Sequence, residues 1–194
     1  MQSIMSSAMR NITIAPWEYM VLVLYLFIIG MAFASRKRRH VRDRPEYKYY
    51  LWGVYAKVLG GFAFTMVYIF HYKSGDVFSF FASSKVLSNL AFTDPARFFD
   101  AMFSENSTAN YYRIFDRGTG YPVNYIYWDD RTYFLVRLIT PITVLAFNSF
   151  ILTTAIVSTI TYHGVWKLYR TLVGYYPSLQ GRLAFAVLFM PSSV

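Results

Sequence analysis

The hydrophobic positions of this chain fall into long blocks. The first, Tyr19 to Ala34, is opened by Pro16 and Trp17. At about 17 residues it reaches the lower limit for a membrane-spanning helix. It has the length of a signal peptide but no basic leader in front, so it reads as a retained helix, with Glu18 at its edge in the interface. The second block, Leu51 to Phe70, predicts a returning helix over 51–71. Gly53, Gly60 and Gly61 within it point to a close helix contact. Lys57 lies near its start, where the stem can extend toward headgroups. The third block, Thr132 to Trp166, is too long for one helix and contains Pro141 and Asn148. Two full crossings would put Lys167, Arg170 and Arg182 on the outer side, against the positive-inside rule. The block therefore divides into an interfacial or half-buried helix over 132–147 and a span over 149–166. An inner loop over 167–182 follows. The fourth block, Leu183 to Val194, begins a span but stops short of the roughly 20 residues a crossing needs. The sequence is expected to be the leading part of a longer polytopic protein.

Residues 72–131 have a different texture, mixed and rich in Phe, Tyr and Ile. Val77 to Leu90 predicts a short helix lying along the membrane surface. Thr93-Asp94-Pro95 reads as a helix start, with a capping side chain and proline at the first helical position. Residues 104–125, with their Asn, Gly, Pro and Tyr, read as an ordered turn region. Asn106-Ser107-Thr108 fits a glycosylation sequon, with no other sign of a eukaryotic secretory route.

Charge sets the direction of these blocks. Ser35 to Arg44, together with Lys48, carries seven basic side chains against Asp43 and Glu46, immediately after the first apolar block. This is the pattern of a cytoplasmic membrane flank; a site for anionic lipid headgroups is the alternative. Residues 72–131 hold seven of the ten carboxylates: Asp76, Asp94, Asp100, Glu105, Asp116, Asp129 and Asp130. Against six basic residues they give that segment a net charge of −1 and place it on the non-cytoplasmic side. The net charge of +9 does not read as nucleic-acid binding, because the basic residues crowd beside an apolar block. Composition agrees with a membrane setting, since charged residues are 15% of the chain against about 25% in soluble domains. Aromatic residues reach 21%, and Trp and Tyr favour membrane–water interfaces. The absence of cysteine excludes disulfides and thiolate metal sites. The expected fold class is all-α, a polytopic helical membrane protein with a largely helical outer loop. Residues 1–50 would form the outer tail, first helix and basic linker, and 51–194 the remaining membrane region. The expected place is the inner membrane of a bacterium.

Candidate chemistry concentrates in the outer loop. The chain has no phosphate-cradling glycine loop, zinc spacing or serine-hydrolase elbow, so no cofactor or metal is expected. Asp76 follows an outward helix at headgroup level. It is either the N-cap of the next helix or a general base beside a lipid-linked substrate. A carboxylate there can take the proton of an attacking hydroxyl as the bond to a sugar C1 breaks. Arg137 can bind a lipid phosphate through its planar guanidinium or pair with an acid in the loop. His71 and Lys73 flank Asp76 and are candidate substrate-binding residues. Asp129 and Asp130 read as caps of the following helix rather than ligands, since adjacent side chains diverge.

Asp76 through Leu87 resembles the start of the first outer loop in GT-C-type integral-membrane glycosyltransferases. In these an acidic residue follows an outward helix, then an aromatic position, a small residue and an apolar turn. Arg137 to Arg170, followed by Pro177 and the run into Met190-Pro191, is similar to the next helices of such enzymes. The resemblance covers about residues 51–194. It implies a sugar donor on a polyprenyl phosphate, an acceptor on the outer face, a catalytic role for Asp76, and basic residues near the phosphate. The sequence departs from that pattern where Asp76 lacks an acidic neighbour and where residues 18–34 add a helix before the usual first span. The expected partners are membrane lipid and the lipid-linked donor. A membrane polysaccharide polymerase would share these features. A non-enzymatic scaffold or assembly subunit, with the aromatic loop docking a protein, is the other reading.

Overall fold

A computed structural model describes residues 15–72 and 75–190. The described residues are helical, with no strand among them. They divide into two compact units. One runs from Val67 to Thr153, and the other joins Ala15–Met66 to the chain from residue 154 onward.

The second unit opens with α1, Pro16–His40. Proline at its first position costs no hydrogen bond, because that N–H has no helical acceptor. Glu18 reaches back to accept from the Ala15 N–H at 2.9 Å and is buried. The helix continues through the first part of the basic block, with Lys37, Arg38, Arg39 and His40 in its last turn, where cations complement the helix dipole. Only 11% of its most apolar window is buried within the protein, so most of its Met, Leu, Ile and Phe side chains face outward. A 3-10 turn, Pro45–Tyr49, leads into α2, Tyr50–Val67.

The core of this unit joins Phe33 of α1, Tyr47, and Tyr50, Val54 and Val58 of α2 to Tyr162, Trp166 and Tyr169 of the long helix Phe150–Tyr175. The Tyr162 hydroxyl donates to the Tyr50 carbonyl at 2.8 Å, which satisfies a phenol buried in an apolar setting. Gly53 and Gly61 make the expected close approach. A Cβ on Gly53 would strike the Tyr162 ring, and one on Gly61 would lie 2.5 Å from Ser158 Oγ. Lys57 is buried, at 8% exposure.

The first unit opens with a π-helical turn, Tyr68–Tyr72. It contains α3, Asp76–Thr93; α4, Pro95–Phe103; α5, Thr108–Ile114; α6, Asn124–Tyr127; and α7, Asp130–Leu145. The long helix Phe150–Tyr175, α8, gives its first turn to this unit and the rest to the other. A 3-10 turn, Pro177–Leu179, α9, Gln180–Ala184, and a π-helical turn, Phe185–Phe189, complete the described chain.

Helix α3 is the hub, packed on α4, α6 and above all α7. Phe78, Phe81, Leu87 and Leu90 are buried on it, as are Ser79, Ser83, Ser84 and Ser88. The small serines let neighbouring backbone approach. Ser84 shares a hydrogen bond with Thr143 of α7 at 3.0 Å, and Ser83 accepts from the Val123 N–H at 3.0 Å. The expected Thr93-Asp94-Pro95 start is present, with Asp94 accepting from the Arg97 N–H at 3.2 Å. The region 104–125 holds an additional helix, α5, capped by Ser107 through the Asn110 N–H at 3.2 Å.

The third apolar block breaks where Asn148 suggested. Phe147 and Asn148 both take positive φ, 51° and 60°, which ends α7 before α8 begins. Proline does not end α7: Pro141 sits inside it on the exposed side. Helix α8 runs past Trp166 to Tyr175, through much of the stretch expected as an inner loop, because Lys167, Leu168 and Arg170 are good helix formers. By length and apolarity, α1 and the segment Pro45–Val67 are each able to cross a membrane. The bent pair of α7 and α8 adds a third crossing if it counts as one span.

Candidate functional site

The start of α3 follows from one glycine. Gly75 takes φ 134°, a region closed to most side chains, and occupies the N-cap position. A Cβ there would meet the Tyr68 ring at 3.0 Å. Asp76 is therefore the first helical residue and not the cap, which corrects the structural role expected for it. Its negative charge still suits the positive end of the helix. The exposed carboxylate accepts a hydrogen bond from the Tyr125 hydroxyl at 3.1 Å. Burial raises the pKa of the Tyr125 phenol, a hydrogen bond from Ser79 opposes that, and the Asp76 carboxylate adds to the rise. The phenol thus stays protonated and donates to the carboxylate.

The other acids of this segment are engaged differently. Asp94 caps α4 and pairs with Arg97 at 2.7 Å, and the same guanidinium reaches Asp116 at 2.8 Å. Asp116 also accepts from the N–H groups of Gly118 and Thr119, at 2.7 and 2.9 Å. Its pKa falls to about 2, first through Arg97 and then through those turn amides. Asp100 pairs with Arg113 at 3.2 Å. Asp129 caps α7, accepting from the Arg131 N–H at 3.4 Å and from the Thr132 hydroxyl. Asp130 accepts from the Asn106 amide at 2.9 Å. The adjacent aspartates thus do structural work, and no three His, Asp or Glu side chains among the described residues converge as a metal site.

Arg137 forms no ion pair with an acid among the described residues. Its Nε donates to the Ala101 carbonyl at 3.1 Å, and its Nη2 donates to the Ser104 carbonyl and, at 3.2 Å, to Asn106 Oδ1. Its guanidinium lies 4.7 Å over the Tyr133 ring. These contacts close off the C-terminal end of α4, where carbonyls lack helical donors. His71 is exposed at the end of the π-helical turn before Asp76. Lys73 lies outside the described residues. Asp76 is thus joined to Tyr125, a residue that sequence reasoning passed over. The stretch Tyr121 to Trp128 is dense in aromatic residues, which is the only sequence signal that pointed there.

Comparison with protein-family models, curated proteins and solved structures returns no match for this chain.

Proposed function

We propose that this chain works in a membrane as part of a glycosyltransferase. It would move a sugar from a polyprenyl-phosphate donor to an acceptor hydroxyl on the outer face of a bacterial inner membrane. The observation that carries the reading is the state of Asp76. Its carboxylate is exposed at the head of α3 and held by a phenol, not used for a helix cap or a guanidinium. As base, Asp76 takes the acceptor proton while the acceptor oxygen bonds to C1. The C1–oxygen bond to the phosphate breaks, and polyprenyl phosphate leaves with the electron pair. Tyr125 aims the carboxylate, and His71 and Lys73 are the basic side chains nearest in sequence for the departing phosphate. Arg137 holds α4 instead.

The test is sugar transfer from a polyprenyl-phosphate donor in membranes containing the protein. Asp76→Asn keeps size and helix and removes the proton acceptor, so transfer should fall by roughly 10²–10⁴-fold. Equal transfer by the variant and the parent would end this reading. A second reading is a non-enzymatic membrane scaffold. It is favoured by the number of outer-loop acids used in caps and ion pairs, which build a rigid surface. It predicts no transfer by either protein.

A further inference from the structure

Two exposed aromatic side chains stand one turn apart at α6, Tyr125 at 49% exposure and Trp128 at 46%. Tyr125 touches Asp76. Trp128 donates its indole N–H to Asn124 Oδ1 at 2.6 Å, which fixes the orientation of its ring. The aromatic surface continues from there. The Tyr111 ring lies 5.9 Å from Trp128 at 32°, and it stacks on Tyr121 at 5.4 Å and 28°. Tyr121 is 40% exposed. Buried Tyr127 supports the group from beneath, edge-on to Tyr111 at 4.8 Å and to Trp128 at 5.1 Å. Rings held this way lose little freedom when something lies on them.

The surface combines flat carbon faces with phenol tips and a carboxylate. An acyl chain would cover the faces and leave those polar groups unpaired, at a cost. A phosphate would meet the negative charge of the Asp76 carboxylate. A pyranose ring has a face of C–H bonds and a rim of hydroxyls, and it matches both features. We propose that Trp128, Tyr121 and Tyr125 form a stacking platform for a neutral saccharide acceptor, which presents one hydroxyl to Asp76. The identity of that hydroxyl as the attacking group rests on the transferase reading.

The experiment measures binding of maltohexaose, cellohexaose and chitohexaose to the protein in lipid nanodiscs by calorimetry, alongside the transfer assay. At least one hexaose should bind. Trp128→Ala and Tyr121→Ala should each weaken it by roughly tenfold, the scale of one lost aromatic contact, while Trp128→Phe retains most of the affinity and so controls for folding. Failure of all three hexaoses to bind, or alanine variants that bind as the parent does, overturns the platform. The two proposals separate cleanly. Binding that depends on Trp128 without any transfer keeps the platform and removes the transferase. Transfer that depends on Asp76 while Trp128→Ala leaves the acceptor KM unchanged removes the platform alone.

Discussion

Arg137 illustrates how a half-buried guanidinium is used when no acid comes within reach. Its donors go to Ala101, Ser104 and Asn106, and its flat face covers Tyr133. Methionine would keep the stem and lose every donor. Because hydrogen bonds from charged groups contribute about 1.5–3 kcal/mol, Arg137→Met should destabilise the first unit by roughly 2–3 kcal/mol. Denaturant unfolding in detergent, followed by tyrosine fluorescence, would show it as an earlier midpoint. A different sensitivity belongs to Asp116, whose carboxyl lies at about 2 in the folded protein against an ordinary value of 3.8. A pKa lowered by folding contributes stability that is complete above the ordinary value and is lost as pH falls through the folded one. The turn at Asp116–Gly120 should therefore hold its hydrogen-exchange protection from neutral pH down to about 4 and lose it between about 4 and 2. Replacing Arg97 with Gln should move that loss to higher pH, because Arg97 is the largest cause of the depression.

Helix ends and helix contacts carry the next set of expectations. Ser107→Ala removes the cap of α5 and should cost about 1 kcal/mol, whereas Ser107→Gly should cost less. Gly61→Ala drives a methyl group against Ser158 and Thr154 and should destabilise the second unit by about 1–3 kcal/mol. Gly164→Ala, on the same long helix that packs there, meets nothing within 4 Å and should instead stabilise by up to about 1 kcal/mol. Thermal unfolding of the pair in one detergent would show shifts of opposite sign. These elements also mark what the chain discloses of itself. The start at Asp94-Pro95 and the break at Asn148 depend on local chemistry, and both were legible. The extension of α1 into the first part of the basic block was not, because arginine and lysine are good helix formers and the same residues serve equally as a flexible flank. Gly75 holds the cap position with φ 134° and the Tyr68 ring close by, a constraint set by packing that no local pattern displays. The pairing of Asp76 with Tyr125 and the reach of Arg137 to α4 join residues far apart in sequence, so they emerge only when the helices pack.

The largest scale concerns the membrane. Two helices are long and apolar enough to cross it, and α1 exposes Met20, Val23, Leu24, Phe27 and Ile28 along its length. Water would penalise that surface, whereas acyl chains would cover it at no polar cost, since the backbone of a helix satisfies its own hydrogen bonds. Orientation should follow the charges. By the positive-inside rule the basic residues at the end of α1 and just beyond it should lie on the cytoplasmic side. A crossing by Pro45–Val67 would then bring α3 to α6 out on the opposite side, with the Asp76 carboxylate facing the outer aqueous phase. Because the chain has no native cysteine, single substitutions report cleanly. In right-side-out vesicles treated with a membrane-impermeant maleimide, Thr119→Cys should label in intact vesicles and Arg42→Cys only after lysis. The reversed pattern would place the acidic segment in the cytoplasm and remove the outer-face chemistry altogether. Labelling of both positions in intact vesicles would mean that Pro45–Val67 does not cross, whatever its apolarity.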